Sequence, residues 1–140
     1  DSFRGLPEAD AERYPIDVPM QFHTYRELAV GVERVRENFA RYGLLDERVE
    51  FVEGWFRDTL PTLAVDRIAV LRLDGDMYES TIDSLTHLEP KVSAGGFVIV
   101  DDYGGIEACA RAVDDYRTAR GITSPIRAVD WTGVWWRKDA

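Results

Sequence analysis

Leu28, Val32, Val35, Phe39 and Tyr42 recur at spacings of four, three, four and three, the rhythm of one apolar stripe along an α-helix. Thr24-Tyr25-Arg26-Glu27 has the form of a capping box, in which threonine and glutamate satisfy free amides at a helix start. The pattern therefore predicts a helix from there to about Gly43. Residues 1–19, rich in proline and acid, read as a loop. Val49-Glu50-Phe51-Val52 reads as a short strand, and residues 54–62, with Trp55, Phe56 and Pro61, as another loop. Residues 67–73 are a β-rich run that stops at Asp74-Gly75-Asp76, after which Ser80 opens a helix with Ile82, Leu85 and Leu88 inward. Gly95-Gly96 breaks the chain before Phe97-Val98-Ile99-Val100, an unbroken apolar run of the kind covered on both faces. That run stops at Asp101-Asp102. Residues 106–120 follow as a helix, with Ile106, Cys109, Val113 and Tyr116 on its inner face. Two last strands, around 125–129 and 134–137, are joined by the hairpin-length turn Asp130-Trp131-Thr132-Gly133.

Strands alternating with helices predict an α/β fold, a doubly wound and mostly parallel sheet with helices on both faces, closed by a C-terminal antiparallel hairpin. The 140 residues suffice for one domain with a buried core, and no internal repeat or low-complexity tract divides them. Charge sharpens this picture. With 26 acidic against 17 basic residues the net charge is −9, which argues against nucleic acid as a partner and suits a protein that gathers carboxylates around a cation. Cys109 has no partner for an internal disulfide and fits a reducing, cytoplasmic setting as a buried structural thiol. No run approaches the roughly 18 apolar residues of a membrane span.

The candidate chemistry lies where the two apolar strands end. Ligands of doubly wound sheets sit beyond the carboxyl ends of the strands, and consecutive strands are usually neighbours. Asp74, Asp76, Asp101 and Asp102 would then converge on one spot. Like charges so close repel, and a hard divalent cation such as Mg²⁺, which prefers oxygen ligands, resolves the conflict. Gly75 allows the tight turn that lets its flanking aspartates face the same way. The competing reading makes Asp76 the cap of the helix that follows.

Four stretches in order, Asp1-Ser2-Phe3-Arg4-Gly5-Leu6-Pro7, Gly54-Trp55-Phe56-Arg57-Asp58-Thr59-Leu60-Pro61, Leu73-Asp74-Gly75-Asp76-Met77-Tyr78-Glu79-Ser80 and Gly95-Gly96-Phe97-Val98-Ile99-Val100-Asp101-Asp102-Tyr103, resemble the macrocin O-methyltransferase family across essentially the whole chain. The resemblance implies a Rossmann-like class I methyltransferase that uses S-adenosylmethionine and Mg²⁺ to methylate a deoxysugar hydroxyl on an antibiotic-type natural product. By it, Asp74, Asp101 and Asp102 match the metal ligands and Asp76 the general base. Asp1, with Ser2 beside it, matches the acid that receives the ribose hydroxyls, and Gly54, Trp55 and Phe56 match a loop near the adenine. It implies a small glycosylated substrate and a homo-oligomer, a dimer, for the intact protein. No glycine-rich loop precedes Asp1. Residues 1–140 are thus expected to be the C-terminal part of a single methyltransferase domain, lacking its first strand and cofactor loop.

Two other classes share strand-end aspartates. A haloacid-dehalogenase-type phosphatase needs a lysine between its acidic clusters, and Lys91 ends its helix on the wrong side. A phospho-accepting receiver domain needs its acidic pair after the first strand, the reverse of the order here. His23 and His87 read as surface or capping residues, and Tyr78 and Tyr103 as packing residues near the acidic clusters.

Overall fold

Leu71, Leu73, Val98 and Val100 lie on one face of two neighbouring strands and set the frame of the molecule. The computed structural model describes residues 1–139. Strand β1 (Ile68–Leu73) pairs in parallel with β2 (Val92–Val100), β2 pairs antiparallel with β4 (Val134–Arg137), and β4 antiparallel with β3 (Arg127–Ala128), giving the order β1-β2-β4-β3. The sheet is therefore mixed. The expected parallel arrangement holds for β1 and β2, and the C-terminal hairpin supplies the antiparallel pairings.

Helices α3 (Tyr78–Leu88) and α4 (Glu107–Arg120) cover one face of this sheet. Leu85 and Leu88 of α3 and Cys109, Val113 and Tyr116 of α4 pack on Leu73, Val98, Val100 and the fully buried Trp136. Strand alternation turns Val70, Arg72 and Phe97 to the opposite face, where Val70 is 55% and Phe97 38% exposed. Among the described residues no helix covers that side. The expectation of helices on both faces, drawn from the alternation of strands and helices, is thus met on one face only among the described residues.

Several local expectations are corrected. Residues 54–62, expected as a loop, hold the single-turn helix α2 (Phe56–Thr59) and a 3₁₀ turn at Leu60–Thr62. The helix expected from Thr24 starts at Val32 and runs to Arg41 as α1. Short 3₁₀ turns precede it, Tyr25 and Gly31 are extended, and Thr24 Oγ1 donates to Gln21 O in place of a capping box. Val30-Gly31, a β-branched residue and a glycine, is a poor continuation for a helix. Residues 49–52 form no strand; the Asp1 main-chain nitrogen donates to Val52 O and Gly54 N–H to Asp1 O. Phe51 instead anchors a satellite cluster, edge-on to Phe39 of α1 at 5.4 Å and beside Phe3. Gly95-Gly96 sits inside β2, where it forms an irregularity in the pairing with β1. Gly95 has φ of +78°, and a Cβ on Gly96 would come within 2.8 Å of Ala69 O.

Candidate active site

Leu73 and Val100 are paired in register, so Asp74 and Asp101 leave two parallel strands at the same height, and Asp101 N–H donates to Leu73 O at 3.0 Å. After Asp74 the chain turns sharply. Gly75 must be glycine here, since a Cβ would meet Ser80 Cβ at 2.9 Å. Asp76 takes a left-handed φ of +58°, with Met77 N–H donating back to Gly75 O across it. Non-glycine residues adopt that conformation only under constraint, and such strain gathers at functional sites.

That constraint comes from α3. Its first amides are capped from afar by Asp17, whose Oδ1 accepts from Tyr78 N–H at 2.7 Å and Oδ2 from Glu79 N–H at 3.0 Å. The Asp17 carboxyl is 1% exposed, and burial raises its pKa against the opposing pull of the Glu79 and Tyr78 amides. The cap also moves the start of α3 to Tyr78, two residues ahead of the Ser80 start expected from sequence. Capping thus falls to Asp17, and the Asp76 carboxyl is free to face its acidic neighbours.

Those neighbours are close. One carboxyl oxygen each of Asp74, Asp76 and Asp102 lie within 4.8 Å of one another. Burial, and then the charges of Asp76 and Asp74, push the Asp102 pKa up to about 7. Burial also raises Asp76, despite a compensating hydrogen bond with Asp102. Asp102 Oδ2 is buried with no hydrogen-bond partner among the described residues. Carboxylate oxygens that converge so closely, with one orphaned acceptor on Asp102, suit a hard divalent cation, and the structure brings Asp76, the expected base, into the group that Asp101, the expected ligand, stays outside. Asp101 stands apart from this group, with its Oδ2 2.9 Å from Arg72 Nη2, while Arg72 Nη1 lies 3.0 Å from Asp74 Oδ2.

A cleft of about 230 Å³ opens beside the aspartates and joins Asp1, Ser2, Trp55 and Phe56 to Asp74 and Asp76. Gly54 lines a second recess next to it with Ser2 and Trp55, and Asp101 and Asp102 do not line the first cleft. Ser2 is buried, and its hydroxyl is committed to a local turn, donating to Gly5 O and accepting from Arg4 N–H. Sequence reasoning missed Glu79 and Asp83, which add acidity to this cleft. Glu79 is 4% exposed, paired with Arg57 at 3.1 Å through Oε1, and its Oε2 is unpartnered among the described residues. Their spacing on α3 carried the signal, as positions 79, 80 and 83 share one helical face. Tyr78 and Tyr103 donate to Asp115 and Asp114 of α4, so both serve packing between loop and helix. His87 is half-buried on α3 and His23 is exposed, both outside this cleft.

An α/β sheet with carboxylates at the ends of two parallel strands, and a cleft alongside, defines an enzyme-like ligand site of the strand-end class. The chain belongs to the family described as Macrocin-O-methyltransferase (TylF), whose model matches residues 1–138. It is 55% identical over 141 residues to the 8-demethyl-8-(2,3-dimethoxy-alpha-L-rhamnosyl)-tetracenomycin-C 4'-O-methyltransferase of Streptomyces olivaceus, covering all of this chain and 54% of that relative. It is 48% identical over 143 residues to the Mycinamicin III 3''-O-methyltransferase of Micromonospora griseorubida, again covering the whole chain and 56% of the relative. Its structure superposes on the O-methyltransferase NovP with a TM-score of 0.97 at 50% identity, covering all of this chain and 58% of that one. The chain thus spans about half the length of the curated relatives it matches. Family membership sets aside the phosphatase and receiver readings. No helix among the described residues is long and apolar enough to cross a membrane.

Proposed function

We propose that residues 1–140 form the C-terminal part of a class I, S-adenosylmethionine-dependent methyltransferase domain that methylates a sugar hydroxyl on a small glycosylated natural product. The observation that carries this reading is the continuity of one cleft with the aspartate cluster. An adenosyl donor on the Asp1, Trp55 and Phe56 wall would bring its positive sulfonium toward Asp74, Asp76 and Glu79, an acidic lining suited to a cation. Span relative to family members and the unpaired outer edge of β1 support the placement within a larger sheet. Relatives named for different sugar positions, 4' and 3'', support sugar hydroxyls as the acceptor class and leave the position to each member's own acceptor pocket.

In this reading Asp74, Asp101 and Asp102 would hold a Mg²⁺ ion, and Asp101, now paired with Arg72, would have to leave that pairing to do so. The ion, when bound, polarises an acceptor hydroxyl that is otherwise a poor nucleophile near neutral pH. Asp76 takes the proton of that hydroxyl. Its carboxyl oxygen lies within 4.8 Å of those of Asp74 and Asp102, beside the place where the hydroxyl would be held. The turn locked by Gly75 and by the Asp17 cap on α3 fixes the direction of that carboxyl, and positioning is a major part of such catalysis. The intact enzyme works in the cytoplasm as a dimer.

The test is transfer of a labelled methyl group from S-adenosylmethionine to a glycosylated acceptor by the full-length protein, with and without Mg²⁺. Asp76→Asn should retain metal and donor binding by calorimetry and lose on the order of 10²–10⁴ in turnover. Near-normal turnover of that variant at saturating Mg²⁺ would remove Asp76 from the proton transfer.

A further inference from the structure

Arg72 occupies a position that neither the family resemblance nor the strand-end pattern assigns. It lies on β1 between the buried Leu71 and Leu73, so the alternation of the strand turns it to the uncovered face of the sheet. From there its guanidinium reaches forward over two strand ends. Nη1 lies 3.0 Å from Asp74 Oδ2 and Nη2 2.9 Å from Asp101 Oδ2. A planar fork with fixed donors suits this, because each carboxylate receives its own N–H. Among the described residues Arg72 is the only cation paired with any of Asp74, Asp76, Asp101 and Asp102.

We propose that Arg72 is the built-in counter-ion of this site: it holds Asp74 and Asp101 while the site is free of metal, and a divalent cation must displace it from Asp101 to gain its third carboxylate. The inference rests on the reading of Asp74, Asp101 and Asp102 as the metal ligands. It follows from two observations in the geometry. Asp101 is the one proposed ligand that stands outside the group of oxygens within 4.8 Å of one another, and Arg72 is what holds it. Asp102, by contrast, already lies in that group, and its buried Oδ2 has no partner to give up among the described residues. Arg72, Asp74 and Asp101 are each about half exposed, at 53%, 49% and 41%. Ion pairs so wetted are worth little and exchange readily, so Arg72 can neutralise the aspartates without blocking a stronger competitor. The device keeps four carboxylates tolerable in the metal-free protein and sets how much Mg²⁺ is needed to fill the site.

Titration calorimetry with MgCl₂ on the full-length protein and its Arg72→Gln and Arg72→Lys variants tests this. With the competing cation removed, Arg72→Gln should bind Mg²⁺ on the order of two- to fivefold more tightly, the scale of the one exposed ion pair that the metal would displace. Arg72→Lys keeps the charge but cannot reach both carboxylates as a fork, and should fall between Arg72→Gln and the wild type. A structural defect would weaken binding, and because Arg72→Gln also deletes a nearby positive charge, the gain in the charge-keeping Lys variant is what separates loss of the fork from loss of charge. An Arg72→Gln protein that binds Mg²⁺ as tightly as the wild type or more weakly overturns the counter-ion role. It leaves the metal site standing and makes Arg72 an orienting support for Asp74, whose loss would cost affinity. A wild-type protein that binds no divalent cation overturns both readings together. If Arg72→Gln does not fold, the Lys variant decides, since affinity no higher than the wild type's refutes the proposal.

Discussion

Asp76 holds a left-handed backbone that only glycine adopts freely, yet it must carry a carboxylate for the role proposed here. Its neighbours make that tolerable: Gly75 packs without a side chain against Ser80, and Met77, 2% exposed, anchors the other side. The aspartates themselves were legible in the sequence, because each follows directly on its strand and needs no distant partner to be recognised. Arg72, Glu79 and Asp17 were not. Their meaning depends on contacts with residues on other elements, as in the pairing of Glu79 with Arg57 and of Arg72 with Asp101. Cys109 was legible for the opposite reason, as its helical spacing alone put it inward. It is 1% exposed, burial pushes its thiol up to about 11, and Thr81 Oγ1 lies 3.6 Å from its sulfur. The thiolate is the reactive form, so the folded protein should resist Ellman's reagent at pH 8 and react once unfolded in guanidinium. Rapid labelling of the native protein would mean that α4 opens far more often than its packing suggests.

At the scale of elements, the strands and helices that build the core were the readable ones. β1, β2, β4, α3 and α4 carry apolar residues at their own periods, and each buries that face against the others. The misread segments are those whose conformation is decided outside the core. α1 has no fully buried residue, so its boundary follows the extended residues before it and not the apolar stripe. Residues 49–52 have a strand's composition but lack a strand to pair with among the described residues. α3 starts early because a carboxylate from another segment caps it. Asp17→Ala would leave two amides at the head of α3 without that acceptor, and a cost of about 2 kcal/mol is expected. Urea denaturation measures it, and the same variant should bind Mg²⁺ more weakly because the Asp74–Asp76 turn loosens. A loss under about 0.5 kcal/mol, the range of ordinary surface changes, would show that water caps the helix as well.

For the molecule as a whole, the notable feature is its one-sided core. The face bearing Val70, Phe97 and Trp135 has no helix over it among the described residues, and the outer edge of β1 has no strand beside it. Uncovered apolar faces and open strand edges recruit partners. Residues 1–140 expressed alone should therefore associate with rising concentration in analytical ultracentrifugation, and Val70→Lys, which charges that edge, should reduce the effect. A strictly monomeric chain at all concentrations would show that this surface is content in water. The cap on α3 has a further consequence, for the order of folding. Asp17 and Tyr78 are 61 residues apart in sequence, so their contact closes one of the long loops of the chain and is slow to form relative to local helix turns. The acidic turn cannot settle until that loop has closed. During synthesis Asp17 leaves the ribosome first, and α3 emerges to find its cap already waiting; a chain refolding from denaturant has no such head start, and its carboxylates should be among the last groups to find their places.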